Sequence, residues 1–419
     1  MNRLNYLATE LDNRLADADA ELTRLYPGDR GVRQPVHTVY IPADTYQAGL
    51  AAQWGERAAT ALQSHAGSPG VLSEIFGITP ALAEQLHPRV RNKLDTEPIE
   101  DLRIDFEDGY GHRSDEEEDA AASAAAGELA KAIHNGQAPP VHGIRFKSLE
   151  APTRHRGLRT LDLFIGELAS AGALGDGFVL TLPKVTSVAQ VEAMTHICTR
   201  MEHFHGLRPR QLRFEIQVET PQSIVDSTGR VVIAPMIHAA DGRCSGLHYG
   251  TYDYSASCDI AAEYQSMEHP AADQAKALMQ VAAAGTGVFL SDGSSNVMPA
   301  GDADSVRSAW QLCARLVRRS LERGFYQGWD MHPAQLVSRY VATYAFFRES
   351  FETAAERLRA YLTGDDSRYL DEPATAKALA GFVLRGLECG AVEEAEIDDR
   401  IGVARQRLAS LAGRQSTVE

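Results

Sequence analysis

Ionisable side chains stand at the ends of five successive short apolar runs. They are Asp105-Phe106-Glu107-Asp108-Gly109, Arg145 in 143-GIRFK-147, Lys184 in 177-GFVLTLPKV-185, Glu219 in 213-RFEIQVET-220, and Asp253 just beyond 245-SGLHYG-250. Burying so many charges without mutual compensation would cost several kcal/mol each, so they are expected to gather around one object. Glu219 and Asp253, with no His or Cys pair beside them, make an oxygen-rich pair suited to a hard cation, Mg²⁺ or Mn²⁺. Such a cation leaves positions for the carboxylate and carbonyl oxygens of a 2-oxo acid, and stabilises the charge that develops when a carbon–carbon bond breaks beside a carbonyl. Arg145 would share that charge through its planar two-donor fork. Asp105, Glu107 and Asp108 would accept hydrogen bonds from water at the metal or hold Arg145.

Two alternatives stay open on these residues. Glu215 shares a strand face with Glu219 by even spacing and competes with it as a ligand. Lys184 offers a metal-free route, a Schiff base with a carbonyl substrate, although neighbouring carboxylates should keep its amine protonated and so disfavour that chemistry.

Barrel-type positioning follows from the pattern around these residues. Eight strand candidates, at 37–43, 101–108, 143–147, 177–185, 213–220, 245–250, 285–291 and 325–333, alternate with helical stretches rich in Ala, Leu, Glu and Arg. Strand–helix alternation implies a parallel sheet, and eight repeats imply an α/β fold of the (β/α)₈ TIM type, whose functional groups collect at the C-terminal strand ends. Residues 1–36 form a helix and lead-in, 37–335 the catalytic barrel, and 336–419 a helical region for a lid or for oligomerisation. The insert at 44–100 is expected to hold two helices. The stripe Leu4, Leu7, Leu11, Leu15, Leu22, Leu25 should pack on the barrel itself or on a partner subunit. Asp115 to Asp119 reads as a solvated helix start, and Arg89, Arg91 and Lys93 as a solvated basic cluster.

The chain also resembles the HpcH/HpaI aldolase, citrate lyase β-subunit and malyl-CoA lyase family, within the metal-dependent barrels acting on pyruvate and phosphoenolpyruvate. The resemblance runs in order through Tyr40-Ile41-Pro42-Ala43, Asp105-Phe106-Glu107-Asp108-Gly109, Arg145, Leu182-Pro183-Lys184-Val185, Val218-Glu219-Thr220-Pro221, Gly250 with Asp253-Tyr254, and His332-Pro333-Ala334-Gln335. It implies that Glu219 and Asp253 ligate the metal, that Arg145 binds enolate or carboxylate, and that the helical end reaches a site as a lid, in this subunit or a neighbour. The general base is left among Asp330, Asp365, Asp366 and Asp371.

Composition narrows the rest. The 419 residues carry a formal net charge of −16, which opposes a nucleic-acid partner. There is neither an apolar run near the roughly 18 residues needed to cross a bilayer nor a signal-peptide core, so a cytoplasmic protein is expected. The five scattered cysteines include no C-x-x-C, and the histidines no H-E-x-x-H. The sequence therefore reads as a homo-oligomeric carbon–carbon lyase using Mg²⁺ or Mn²⁺ on a small oxo acid or acyl-CoA thioester. A thioester hydrolase on the same site and a non-catalytic metabolite-binding barrel are the alternatives.

Overall fold

The computed structural model describes residues 3–364 and 371–414. Its eight strands are β1 (His37–Pro42), β2 (Asp101–Asp105), β3 (Val141–Arg145), β4 (Phe178–Leu182), β5 (Arg213–Val218), β6 (Cys244–Tyr249), β7 (Phe289–Ser291) and β8 (Gly328–Asp330). All pairings are parallel, in the order β7-β6-β5-β4-β3-β2-β1-β8. The two outermost strands meet through the Ser291–Gln327 bridge, the Asp292 amide on the Gln327 carbonyl (2.8 Å) and the Trp329 amide on the Gly293 carbonyl (3.1 Å). The sheet is therefore a nearly closed α/β barrel of the TIM type. Its strands are short runs rich in Val, Ile, Leu and Phe because a parallel sheet is covered on both faces.

Fifteen helices surround or extend it among the described residues: α1 (Arg3–Leu25), α2 (Leu50–Ala66), α3 (Pro69–Phe76), α4 (Pro80–Thr96), α5 (Asp115–His134), α6 (Arg154–Ser170), α7 (Val188–Phe204), α8 (Ile233–Ala239), α9 (Thr251–Ser257), α10 (Pro270–Ala283), α11 (Ala303–Glu322), α12 (Gln335–Thr363), α13 (Pro373–Glu388), α14 (Glu394–Arg400) and α15 (Arg405–Leu411). The first insert thus holds three helices, not two. Ser68 and Thr79 each cap a new start with the hydroxyl accepting an amide, and each is followed by a proline at the first helical position.

Two surface readings also change. The acidic run does begin α5, with a capping box between Ser114 and Glu117, but it is not merely solvated. Glu118 is fully buried and pairs with Lys147 at 2.7 Å, while Asp119 pairs with Arg156 and Arg159. In the basic cluster Lys93 is buried against Glu97 and Glu100, and Arg89 reaches Glu393 and Glu396.

Helix α1 buries no residue against its own barrel. At the other end, α13 and α15 share an apolar cluster with α12 built on Phe351, Leu358, Val383, Leu384 and Leu408. Arg414 then pairs with Asp29 of the lead-in at 3.3 Å. No helix among the described residues is long and apolar enough to cross a membrane.

Candidate active site

The C-terminal strand ends bring the sequence-predicted groups into one mouth. Asp105 closes β2, and its carboxylate organises the loop after it, accepting the amides of Glu107 (3.0 Å) and Gly109 (2.8 Å). A Cβ at Gly109 would lie 2.5 Å from Asp105 Oδ2, so the loop needs glycine there. Arg145, at the end of β3, donates to both Asp105 oxygens at 2.7 Å through Nε and Nη2. Its plane lies 4.7 Å from the Tyr40 ring and 5.8 Å from that of Trp329, an arrangement open to a guanidinium and not to an ammonium. Nη1 has only long partners, Gln217 Oε1 at 3.5 Å and Glu107 Oε2 at 3.4 Å. It is the arm of the fork most weakly held within the protein.

Lys184 follows β4 with a left-handed backbone, φ 51°, a conformation that costs a non-glycine residue about 1–2 kcal/mol. That turn aims its amide at Glu219 Oε1 (2.7 Å) and its ammonium into the carboxylates. Nζ lies 2.8 Å from Asp253, 2.9 Å from Asp108, and 3.9 Å from both Glu107 and Glu219. Glu219 ends β5 and is buried; Asp253 stands on the first turn of α9 and is half exposed. Close packing of the two elements depends on Gly250, where a Cβ would fall 2.5 Å from Glu219 Cβ.

Around this mouth Asp105, Glu107, Asp108, Glu219 and Asp253 face only the cations of Arg145 and Lys184. Full ionisation would leave an excess of negative charge in a partly dry site. Burial pushes the Glu107 carboxyl up to about 8, against the pull of Arg145 and Lys184. Burial, with Asp253 adding to it, pushes Glu219 up to about 7, against the pull of Lys184. Lys184 is itself held above its ordinary value, because Glu219, Glu107 and Asp253 outweigh its burial. A protonated amine is a poor Schiff-base nucleophile.

The competing ligand Glu215 sits elsewhere. It lies inside the barrel, accepting from Arg103 Nη2 (2.7 Å) and Thr181 Oγ1 (2.5 Å), with His248 Nε2 at 3.0 Å. Asp330, one of the base candidates, is locked by Arg339 at 2.9 Å and His37 at 3.0 Å, and Asp371 pairs with Arg357. Asp365 and Asp366 lie outside the described residues. None of the mouth's polar partners among the described residues comes from α13 to α15. Sequence reasoning did not single out Trp329 or Gln217. Gln217 was visible as the middle member of the alternation Glu215, Gln217, Glu219.

The donor set fits a hard cation that keeps part of its coordination shell open. Two carboxylates from separate elements approach the Lys184 ammonium, all donors are oxygens, and the carboxylates outnumber the local cations. No group of three or more His, Cys, Asp or Glu placed to hold a metal ion occurs among the described residues, so the protein would supply only Glu219 and Asp253.

Residues 15–416 match the family described as "Domain of unknown function (DUF6986)". No curated protein sequence matches the chain. Among solved structures, the fold is similar to Haloferax volcanii malate synthase, with a TM-score of 0.48, 14% identity, and coverage of 91% of this chain and 99% of that one. It is similar also to protein CitE from Mycobacterium tuberculosis in complex with magnesium, acetoacetate and coenzyme A (0.47, 16%, 86% and 99%). A third likeness is an HpcH/HpaI aldolase/citrate lyase family protein from Burkholderia cenocepacia (0.38, 16%, 80% and 98%). The last carries the name of the family that the sequence motifs resembled, and at such identities the likeness is one of fold.

Proposed function

This chain belongs to the DUF6986 family, and we propose from the geometry of its mouth that it is a divalent-metal-dependent carbon–carbon lyase of the aldol or Claisen type. Its substrate would be a small 2-oxo acid or an acyl thioester. The observation that carries the reading is that Glu219 and Asp253 both face the Lys184 ammonium, at 3.9 and 2.8 Å, in a site with more carboxylates than cations.

Glu219 and Asp253 would hold Mg²⁺ or Mn²⁺. When bound, the ion supplies Lewis-acid stabilisation of negative charge developing at a carbonyl oxygen. Arg145 binds the substrate carboxylate or enolate through Nη1 while Asp105 fixes the other two donors of its guanidinium. Tyr40 and Trp329 keep that guanidinium flat and partly dry, which strengthens its pull on an anion. Lys184 balances Asp108 and Asp253 and stays charged.

The test is thermal unfolding with pyruvate, oxaloacetate or glyoxylate, each with and without Mg²⁺ or Mn²⁺, followed by product analysis with the same acids and with an acyl-CoA thioester. Stabilisation by oxo acid that requires metal, absent in Glu219→Gln, supports the site. A new carbonyl fragment identifies a lyase. Free acid with an intact carbon skeleton identifies a thioester hydrolase, and metal-dependent binding without turnover a metabolite-binding barrel. Oxo-acid binding indifferent to metal removes the proposal.

A further inference from the structure

A cavity of about 710 Å³ opens at the other end of the barrel. Its lining comes from strand starts and from the lead-in: Asp101 and Val141 at the starts of β2 and β3, with Arg103 deeper on β2, Arg213 and Ser245 at the starts of β5 and β6, Phe289 on β7, and Arg30 before β1. The volume suits a small-molecule ligand, and the position is opposite to the mouth where barrel chemistry collects.

Its charge is one-sided. Most arginines around it are matched: Arg33 by Glu97 and Glu100, Arg103 by Asp101 and Glu215, Arg208 by Asp176, and Arg210 by Asp241. Arg30 and Arg213 are not. Among the described residues Arg30 donates to the carbonyls of Gly287 (2.9 Å) and Ser245 (3.1 Å) and stacks 4.9 Å from the Phe289 ring. Its sequence neighbour Asp29 is taken by Arg414. Arg213 makes one long bond, to the Gly242 carbonyl at 3.4 Å, and its Nε is buried with no partner. Burial, with Arg213 next, lowers the affinity of Arg30 for its proton, and burial likewise lowers that of Arg213. Two guanidinia lining one cavity, neither in an ion pair with a carboxylate among the described residues, are an energetic cost in a chain of net charge −16.

We propose that Arg30 and Arg213 form an anion-binding site at the N-terminal end of the barrel, for a small molecule with a phosphate or clustered carboxylates and an apolar remainder. The planar forks supply paired donors to such oxygens. Phe289, Val179, Pro35 and Pro209 offer apolar surface to the rest of the ligand. The site is separate from the mouth, so its success or failure does not depend on the lyase reading.

The test uses the full chain at fixed ionic strength, titrated with inorganic phosphate, pyrophosphate and citrate while thermal unfolding and calorimetry are followed. At least one probe should raise Tm by 3 °C or more with a saturable, sub-millimolar Kd. Response to phosphate or pyrophosphate alone identifies a phosphorylated ligand, and response to citrate alone a polycarboxylate. Arg213→Met should weaken that binding at least tenfold, whereas Glu219→Gln should leave it unchanged. Arg213→Glu, which places a carboxylate beside Arg30, should raise the Tm of the ligand-free protein and abolish the response. No shift with any probe, equal shifts in the wild type and Arg213→Met, or a ligand-free Arg213→Glu protein less stable than wild type would each overturn the proposal.

Discussion

Substituting alanine for Gly250 tests the mouth with the smallest possible addition. The backbone there, φ −95° and ψ 95°, is open to any L-residue, so no torsional penalty enters. The whole effect comes from one new methyl group, which would lie 2.5 Å from Glu219 Cβ and 2.8 Å from Glu219 Oε2. Carbon atoms do not approach so closely, so Glu219 or the β6–α9 turn must move. Overpacking of this kind costs about 1–3 kcal/mol. If Glu219 yields, the buried amide of Lys184 loses its 2.7 Å acceptor, adding about 1–3 kcal/mol for an unsatisfied donor. The expected total, with partial relaxation, is about 2–4 kcal/mol, or a Tm loss of roughly 4–16 °C at the 2–4 °C per kcal/mol of large domains. Metal-dependent stabilisation should fall with it, since the displaced carboxylate is a proposed ligand. Gly127 is the control. It sits inside α5, a Cβ there meets nothing within 4 Å, and alanine should stabilise by up to about 1 kcal/mol. Urea unfolding and Mg²⁺ titration of both variants read the outcome. If Gly250→Ala is as stable and as metal-responsive as wild type, the contact between α9 and Glu219 does not set the site, and the argument for convergence fails.

Three further outcomes follow from the same geometry. Lys184→Met removes a cation that competes for Asp253 and Glu219, so Mg²⁺ should bind about tenfold more tightly, a change of about 1.4 kcal/mol, when measured by calorimetry; weaker binding would show that Lys184 is part of the cation site itself. Arg145→Lys keeps the charge but loses the two-pronged contact with Asp105 and the stacking on Tyr40, and turnover with the oxo acid that passes the first screen should fall in kcat/KM by about 100-fold, some 3 kcal/mol. Asp330→Asn strands Arg339 and should cost about 3–5 kcal/mol near pH 7. Burial disfavours the Asp330 carboxylate, but Arg339 and His37 outweigh it and hold the carboxyl below its ordinary 3.8. Its contribution is therefore present above about pH 3.8 and lost as pH falls further. The stability gap between wild type and variant in urea should narrow below pH 4, and a gap constant down to pH 2.5 would contradict the assignment.

The barrel was legible because its strands are short, β-branched and separated by helical stretches, and all eight candidate runs overlap strands of the structure. Placement of side chains was legible where a residue closes a strand, as with Asp105, Arg145 and Glu219. Depth along a strand was not. Glu215 and Glu219 share a face, and four residues of strand separate them by about 13 Å, so one sits in the barrel's polar interior and the other at the mouth. Only the partners decide this, and those partners, Arg103, Thr181 and His248, come from three other strands. The left-handed turn at Lys184 had no glycine or asparagine to announce it; it follows from the pull of Glu219 on the Lys184 amide. In the long insert the punctuation at Ser68-Pro69 and Thr79-Pro80 was present, and two breaks make three helices.

A net charge of −16 hides how the charge is arranged along the barrel axis. Even spacing explains why: a strand that ends in an acid at the mouth, such as β5 with Glu219, begins with Arg213 six residues earlier, on the same side chain alternation, at the opposite opening. Between them the buried Arg103 pairs with both Asp101 and Glu215, and His248 adjoins Glu215, so the interior charges are partnered and the unpartnered ones lie at the two ends. The C-terminal mouth is left short of positive charge and the N-terminal cavity short of negative charge. Bulk salt corrects neither fully, because Glu219 and Glu107 at the mouth are withdrawn from solvent and are screened less than surface charges. A specific cation at one end and a specific anion at the other would. If that is right, the two ligands should stabilise additively, since the balanced interior separates them. A gain from both together that differs from the sum of the separate gains by more than about 0.5 kcal/mol would show instead that the Arg103–Glu215 pair, which touches Tyr40 and through it Arg145, transmits one site's occupancy to the other.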